Sequence, residues 1–198
     1  MIHDLTQEEI IELRSQKRKD AIEKRKKLGF TERKEKSASI SELLYGTEEF
    51  SNSRTVMIYK ATEYEVCLDE LERISMENGD GKIFLYPLCV SDSEMTAHSP
   101  RDGSAWQRGY KGIMEPDPDR SLRFLPEEID LVVCPCAAFD EKLGRMGMGG
   151  GFYDRFLEKC INAKVIAVAF EIQRTEDVFA LDWDVPMQAV ITESRIYR

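Results

Sequence analysis

Five glycines within eight residues, at positions 144, 147, 149, 150 and 151, form the densest chemical signal in the chain. They lie between an apolar run that ends at Cys134 and a segment from Tyr153 that has the composition of a helix. Glycine lets a ligand approach the main-chain amides, and successive amides at a helix N-terminus bind anions. The pattern favours a phosphate site, and a flexible surface loop is the alternative.

The loop does not fit either of two familiar phosphate-binding motifs. It contains no G-x-x-x-x-G-K-[ST] sequence, which excludes a Walker A loop. The spacing Gly147-x-Gly149-x-x-Phe152 also lacks the third glycine of the dinucleotide-binding fingerprint. Phosphate binding is therefore predicted from the physics of the loop and not from a motif.

Asp154 indicates a metal ion at the same place. A carboxylate next to a bound phosphate would be repelled, unless Mg²⁺ lies between them with one or two carboxylates and phosphate oxygens as ligands. Arg145 and Arg155 flank the loop and could hold phosphate oxygens. The alternative for Asp154 is an ordinary acidic residue in the first turn of a helix, where the helix dipole favours it.

Two helices are predicted at the N-terminus. Thr6-Gln-Glu-Glu9 has the form of a capping box, so a helix should run to about Leu28, with Gly29 ending it. A second helix is expected from about Glu32 to Tyr45. These helices carry the strongly basic part of the chain.

The first helix presents three arginines on one face. Arg14, Arg18 and Arg25 lie within about 40° of one another at 100° per residue. Residues 14–36 hold eleven Lys or Arg against four Asp or Glu, although the whole chain has a net charge of −9. This segment is either a solvated helix face or an anion-binding arm.

Short apolar runs alternate with helical patterns along the rest of the chain. Such alternation predicts a parallel sheet covered on both faces, and Pro87 should stop the second strand. Helices are expected at about Leu68–Glu77 and Tyr153–Asn162, and residues 90–128 should form an irregular excursion that could include a hairpin. The predicted strands are Thr55–Tyr59, Lys82–Tyr86, Leu131–Cys134, Lys164–Phe170 and Ala189–Thr192.

The predicted fold class is therefore α/β: a three-layer α/β/α domain with a mostly parallel central sheet and an N-terminal helical pair. Without repeats or linkers, residues 1–198 are expected to form a single domain. No run approaches the roughly 20 apolar residues that span a bilayer, and the acidic N-terminus does not resemble a secretory signal. Five cysteines predict reduced thiols, and an acidic body disfavours nucleic-acid binding. We expect a cytoplasmic protein.

Several segments together resemble the 5-formyltetrahydrofolate cyclo-ligase family. The loop from Ala138-Phe-Asp140 through Arg145-Met-Gly-Met-Gly-Gly-Gly-Phe-Tyr-Asp-Arg155 is similar to that family's signature. The similarity extends from about residue 14 to residue 193. The other matching segments are Arg14-x-x-x-Arg18 with Arg25 and Ser37-x-x-Ile40, Val56–Tyr59 with Glu65, Gly112–Pro116, Ala169–Gln173 and Asp184–Glu193.

The resemblance implies an ATP-dependent ligase of folate metabolism. Its expected reaction converts 5-formyltetrahydrofolate to 5,10-methenyltetrahydrofolate, with ADP and phosphate as co-products. ATP phosphorylates the formyl oxygen and N10 of the substrate attacks. The implied partners are 5-formyltetrahydrofolate and ATP with Mg²⁺, without nucleic acid or membrane, in a monomer or weak homodimer.

The resemblance also implies roles for individual residues. Arg145 and Asp154 would be catalytic, and Asp154 and Asp184 would hold the metal. ATP would contact Arg14, Arg18, Arg145, Met146, Gly147, Met148, Gly149, Gly150, Gly151, Phe152 and Tyr153. The folate substrate would contact Lys60, Glu65, Met148, Gly149, Gly150, Gly151 and Phe152.

The chain departs from the family pattern at three positions in the loop. The family usually has glycine where Leu143 stands, and some members carry basic residues at the positions of Met148 and Gly150. Two alternatives therefore stay open. One is a nucleotide-binding paralogue that acts on a different formyl or carbonyl substrate, and the other is a non-catalytic phosphate-binding regulator.

Overall fold

The structure is a computed structural model that describes residues 6–198. Two helices open the chain, as predicted, and the Thr6–Glu9 capping box closes with a Thr6 N–H to Glu9 Oε2 distance of 2.7 Å. None of the helices in this part of the chain has the length and apolar content that crossing a membrane requires. The five α-helices are α1 (Gln7–Lys26), α2 (Phe30–Tyr45), α3 (Glu48–Ser51), α4 (Asp69–Asn78) and α5 (Phe152–Leu157).

An eight-stranded sheet forms the middle layer. Its order is β12-β11-β10-β7-β1-β2-β3-β6; the strands from β11 to β2 are parallel, and antiparallel strands complete both edges. The remaining strands pair as two small ribbons, β4 with β5 and β8 with β9. The strands are β1 (Thr55–Met57), β2 (Ile83–Cys89), β3 (Met95–Pro100), β4 (Trp106–Arg108), β5 (Met114–Pro116), β6 (Ser121–Phe124), β7 (Leu131–Pro135), β8 (Ala138–Phe139), β9 (Arg145–Met146), β10 (Lys164–Val168), β11 (Ala189–Ile191) and β12 (Ile196–Tyr197).

Alternate side chains of the central strands pack into two separate hydrophobic cores, one on each face of the sheet. Val56 and Val133 pack with α2 and α4 on one face, whereas Met57 and Val132 pack with α5 on the other. This period of two follows from the pleat of a strand, and covering both faces explains why the central strands read as unbroken apolar runs. The predicted α/β class with a mostly parallel sheet is confirmed.

Pro87 does not end the second strand, and this prediction is wrong. β2 continues to Cys89 and pairs with β3 through Pro87 and Ala97. The carbonyl of Leu85 faces β1 and accepts from the Ile58 N–H at 2.8 Å, and by alternation the nitrogen of Pro87 faces the same side. Pairing with β1 has already ended at Leu85, so the missing donor breaks no ladder bond.

The region of residues 90–128 is more regular than predicted. It contains the expected hairpin, because β4 and β5 pair antiparallel within it, but it also supplies β3 and β6 to the edge of the sheet. The helix expected at 153–162 is shorter than predicted. Beyond Leu157 the chain winds tightly, with the Cys160 N–H donating to the Leu157 carbonyl at 3.0 Å, which ends α5.

The turn before β9 depends on a glycine for a packing reason. Gly144 lies against Val178, and a Cβ placed on Gly144 would overlap Cγ2 of Val178. Val178 is fully buried beside Ala21 of α1, so it has no free space into which to move. The close approach fixes the segment that leads into the glycine-rich loop.

We therefore expect Gly144→Ala to lower the free energy of unfolding by roughly 1–3 kcal/mol, the usual effect of overpacking a core. Urea denaturation measures this change. Gly103→Ala is the matched control, because Gly103 has no atom within 4 Å of an added Cβ and no positive φ. Equal stability of the two variants would contradict this prediction, because it would show that Val178 can move aside without cost.

Candidate active site

A cavity of about 620 Å³ opens at the carboxyl ends of β1 and β7. This is the edge at which open α/β sheets bind ligands. One wall is α1 with residues 181–184, another is formed by residues 110–115 with β2, and the glycine-rich loop contacts both. The fold thus brings segments from most of the chain to one site.

The glycine-rich loop contacts both walls. On one side the Arg18 Nε donates to the Gly147 carbonyl at 2.8 Å, and on the other the Phe152 ring packs against Tyr110 at 5.5 Å between centroids. Gly149 and Gly151 have φ values of 98° and 65°, which side-chain-bearing residues rarely adopt. Gly151 is the N-cap of α5, so the loop leads directly into a helix N-terminus as predicted.

Arg145 lies beneath the loop. Its side chain is only 2% exposed and donates to the Pro135 carbonyl at 3.2 Å and to Asp154 Oδ1 at 2.8 Å. Its Nε is buried and has no hydrogen-bond partner in residues 6–198. The two residues predicted as catalytic therefore pair with each other and join the end of β7 to the first turn of α5.

Arg14 and Asp184 form a second ion pair in the cavity wall. The Arg14 guanidinium bonds both carboxylate oxygens, at 2.5 and 3.0 Å, and also donates to the Phe179 carbonyl at 2.6 Å. The Leu181 N–H occupies Asp184 Oδ2 as well, at 2.8 Å. The residue predicted as a metal ligand is thus engaged by Arg14, and the predicted ATP contact Arg14 is engaged by Asp184.

Arg18 lines the cavity without a carboxylate partner among residues 6–198. Burial lowers its pKa and the neighbouring charge of Arg14 lowers it further, while Asp184 opposes the shift. The pKa of an arginine lies so far above neutrality that the Arg18 guanidinium still stays charged at neutral pH. An uncompensated, half-buried guanidinium beside the glycine-rich loop is suited to an anion. Arg25, on the same face of α1, is buried elsewhere and donates to the Cys136 carbonyl at 3.3 Å.

Lys60 and Glu65 follow β1 and both line the cavity. The ammonium of Lys60 pairs with Glu72 at 3.0 Å and with Asp69 at 3.2 Å, and it lies over the rings of Tyr86 and Trp106. Glu65 Oε2 accepts from the Thr62 N–H at 2.9 Å, which fixes one of its oxygens. The second oxygen of Glu65 accepts no hydrogen bond within the described residues.

The loop side chains divide between cavity and core. Met148 is 59% exposed at the cavity, and Phe152 and Tyr153 also line it. The Tyr153 hydroxyl is buried and has no partner in the described chain. Met146 differs, because its side chain is fully buried with Ala21 and Val178 and does not line the cavity.

The sequence-based assignment of roles left out many cavity residues, among them Tyr110, Glu115 and Trp183. Glu115 was visible only as part of the segment Gly112–Pro116, in a region that the sequence pattern indicates as irregular. No periodicity relates β5 to the glycine-rich loop, and only the tertiary structure brings them together.

No group of three or more His, Cys, Asp or Glu side chains is placed to hold a metal ion in the part of the chain that the structure describes. The predicted Asp154 and Asp184 line the same cavity but belong to separate ion pairs. All five cysteines are free thiols, as predicted. Burial raises the pKa of the Cys134 and Cys136 thiols to about 12.

Comparisons with known proteins agree on one family. The model of the 5-formyltetrahydrofolate cyclo-ligase family matches residues 10–193. The 5-formyltetrahydrofolate cyclo-ligase of Escherichia coli (strain K12) is 39% identical over 71 residues, covering 35% of this chain and 39% of that protein. The enzyme of the same name from Haemophilus influenzae is 41% identical over 78 residues, covering 38% and 42%. The matched segments thus span about two fifths of these curated relatives.

Solved structures are similar over nearly the whole chain. The NMR structure of Aquifex aeolicus 5,10-methenyltetrahydrofolate synthetase aligns with a TM-score of 0.82 at 30% identity, covering 94% of this chain and 92% of that one. The synthetase of the same name from Mycoplasma pneumoniae has a TM-score of 0.74 at 22% identity, covering 91% and 98%, and shares the fold.

The Arg145–Asp154 pair predicts a stability effect that needs no ligand. Asp154→Asn leaves a buried guanidinium without its counter-charge, so we expect the free energy of unfolding to fall by roughly 1–3 kcal/mol. Urea denaturation without nucleotide or metal checks this. Asp182→Asn, at an exposed position in the cavity's neighbouring turn, is the control. Unchanged stability of Asp154→Asn would show that Arg145 does not depend on this carboxylate.

Proposed function

This chain belongs to the 5-formyltetrahydrofolate cyclo-ligase family, and from this premise we propose that it converts 5-formyltetrahydrofolate to 5,10-methenyltetrahydrofolate with ATP as co-substrate. The products are ADP and phosphate. The observation that carries the proposal is the glycine-rich loop between an uncompensated arginine and a wall that bears free carboxylate oxygens. One wall suits a polyphosphate, and the other suits a ring rich in N–H donors.

In the proposed reaction the formyl oxygen attacks the γ-phosphorus of ATP, and ADP departs with the electrons of the broken P–O bond. N10 then attacks the activated formyl carbon and loses its proton. The carbon–oxygen bond breaks, and phosphate leaves with the former formyl oxygen. An amide oxygen is a poor leaving group, so phosphorylation makes ring closure feasible. Phosphoryl transfer asks the protein mainly for positioning and charge neutralisation.

We assign the phosphates of ATP to the amides of Gly147–Gly151 with Arg18 and Arg14. Phe152 and Tyr153 begin the helix whose N-terminus faces the same loop, which supports their assignment beside the nucleotide. Arg145 acts from beneath the loop, where its charge is buried and therefore weakly screened. Met146 does not reach the cavity, and its buried side chain instead anchors the start of the loop in the core.

We assign the folate substrate to the opposite side of the loop. Lys60 and Glu65 stand at the end of β1 in the cavity wall, and Phe152 supplies an apolar face. Met148 and Gly149–Gly151 lie between the two substrates, which is where the formyl oxygen must meet the γ-phosphate. The free oxygen of Glu65 is able to accept a hydrogen bond from the substrate.

Asp154 fits a magnesium ion. Its side chain is 20% exposed, and Oδ2 accepts no hydrogen bond in residues 6–198, so a hard carboxylate oxygen is free beside the proposed phosphates. Asp184 would join only if Arg14 released part of its bidentate contact. When bound, Mg²⁺ offsets negative charge on the transferring phosphoryl group.

The direct test mixes the purified chain with 5-formyltetrahydrofolate, ATP and Mg²⁺ and follows the absorbance of the methenyl product. We expect product only when ATP is present, and Asp154→Asn should lower turnover and weaken its dependence on magnesium. Turnover of another formyl compound in place of this one would indicate a paralogue with a different substrate. ATP binding without turnover on any formyl compound would indicate a regulator.

Replacing Arg18 tests the phosphate assignment separately. Arg18→Met keeps most of the side chain but removes the charge, so we expect the KM for ATP to rise roughly 10-fold or more, as loss of a charge-assisted hydrogen bond predicts. Lys24→Met removes a charge from an exposed position of α1 and should leave this KM unchanged. Similar KM values for both variants would remove Arg18 from the nucleotide site.

A further inference from the structure

Glu115 is a buried carboxylate in the cavity wall without a counter-charge. The residue is only 5% exposed and lines the cavity from β5. No Lys, Arg or His nitrogen within residues 6–198 forms an ion pair with it, whereas Asp154 and Asp184 each pair with an arginine. A buried charge in this state is costly unless hydrogen-bond donors surround it.

The protein itself supplies few such donors. The Tyr110 N–H reaches Glu115 Oε1 at a long 3.3 Å, and the Cys89 thiol is its other polar neighbour. Burial and the nearby Glu115 carboxylate raise the pKa of Cys89 to about 12, so the thiol stays neutral. Neither neighbour supplies a positive charge.

The backbone is shaped to accommodate this carboxylate. Gly109 lies directly against it, and a Cβ on Gly109 would overlap the Glu115 carboxyl group. The next turn contains Lys111 at φ 53°, a left-handed conformation that is unfavourable for a lysine. Residues with strained backbone conformations of this kind are concentrated at active sites and ligand-binding sites. The Tyr110 ring then packs on Phe152 and connects this turn to the glycine-rich loop.

The surroundings of Glu115 suit a flat ring. Pro87, Met95 and Ile113 supply apolar surface to the same cavity. Apolar walls with one polar anchor are the usual design of a small-molecule site. A carboxylate accepts most strongly from two adjacent N–H groups, one on each oxygen. The pteridine of 5-formyltetrahydrofolate presents two such groups side by side, N3–H and the 2-amino group.

We propose that Glu115 anchors the pteridine ring by accepting hydrogen bonds from N3–H and from the 2-amino group. Glu65 is less suited to this contact, because the Thr62 N–H binds it at 2.9 Å, closer than the 3.3 Å of the Tyr110 N–H on Glu115, and because Glu65 is more exposed. This assignment rests on the proposed function, since the ring is that of the proposed substrate. It makes Glu115 a residue that determines substrate specificity.

The test compares 5-formyltetrahydrofolate with its 2-desamino analogue. A site built to hydrogen-bond a substrate group strongly rejects an analogue that lacks it, so the wild-type chain should prefer the natural substrate roughly 100-fold or more in kcat/KM. Glu115→Gln should raise the KM for the natural substrate roughly 10- to 100-fold, leave the KM for ATP unchanged and reduce the preference at least 10-fold. Glu158→Gln, at an exposed position, should behave as wild type.

A purely structural role for Glu115 would lower activity on both substrates equally, so an unchanged preference in Glu115→Gln overturns the proposal. The wild-type preference needs no variant, and a value near one overturns the proposal even if Glu115→Gln does not fold. Loss of the proposed function gives a different result. In that case the wild-type chain neither turns over nor binds 5-formyltetrahydrofolate in a titration of its tryptophan fluorescence.

Discussion

The buried guanidinium of Arg145 constrains the rest of the site. It spans from the Pro135 carbonyl at the end of β7 to Asp154 in the first turn of α5, so the glycine-rich loop closes over it. An added Cβ on Gly147 would lie 3.0 Å from Arg145 Nη1. The loop backbone therefore packs closely on the Arg145 guanidinium at this position. A buried charge is costly unless hydrogen-bond acceptors are held around it. The two acceptors of Arg145 therefore fix the distance between the end of β7 and the start of α5.

The sequence predicts local features well and long-range pairings poorly. The capping box at Thr6 and the five central strands follow from nearby residues, because they depend on local hydrogen bonds and on the pleat. The pairing of Arg14 with Asp184 joins positions 170 residues apart, and no local pattern encodes it. β3 and β6 were missed for the same reason, since their partners in the sheet decide their structure.

Leu143 shows how this chain tolerates a departure from its family. Its φ of 67° is a left-handed conformation that costs an L-residue about 1–2 kcal/mol, which gives a physical reason for the glycine usual there. The turn is held by Asp140, whose carboxylate accepts from the N–H groups of Lys142, Gly144 and Val178. The partly buried Leu143 side chain packs on the core beneath α5. Packing and the Asp140 bonds thus offset the local strain.

The distribution of paired charges explains how an acidic chain can offer a site to an anionic nucleotide. The net charge of −9 is spread over a surface that salt screens within about 8 Å at physiological ionic strength. Inside the cavity most charges are neutralised locally, with Arg14 on Asp184 and Arg145 on Asp154. Arg18 and Lys111 remain without ion pairs among the described cavity residues, as do the carboxylates of Glu65 and Glu115. A cavity that offers both unpaired cations and unpaired carboxylates suits two different ligands side by side, one anionic and one rich in N–H donors. A transfer reaction between two substrates needs that arrangement.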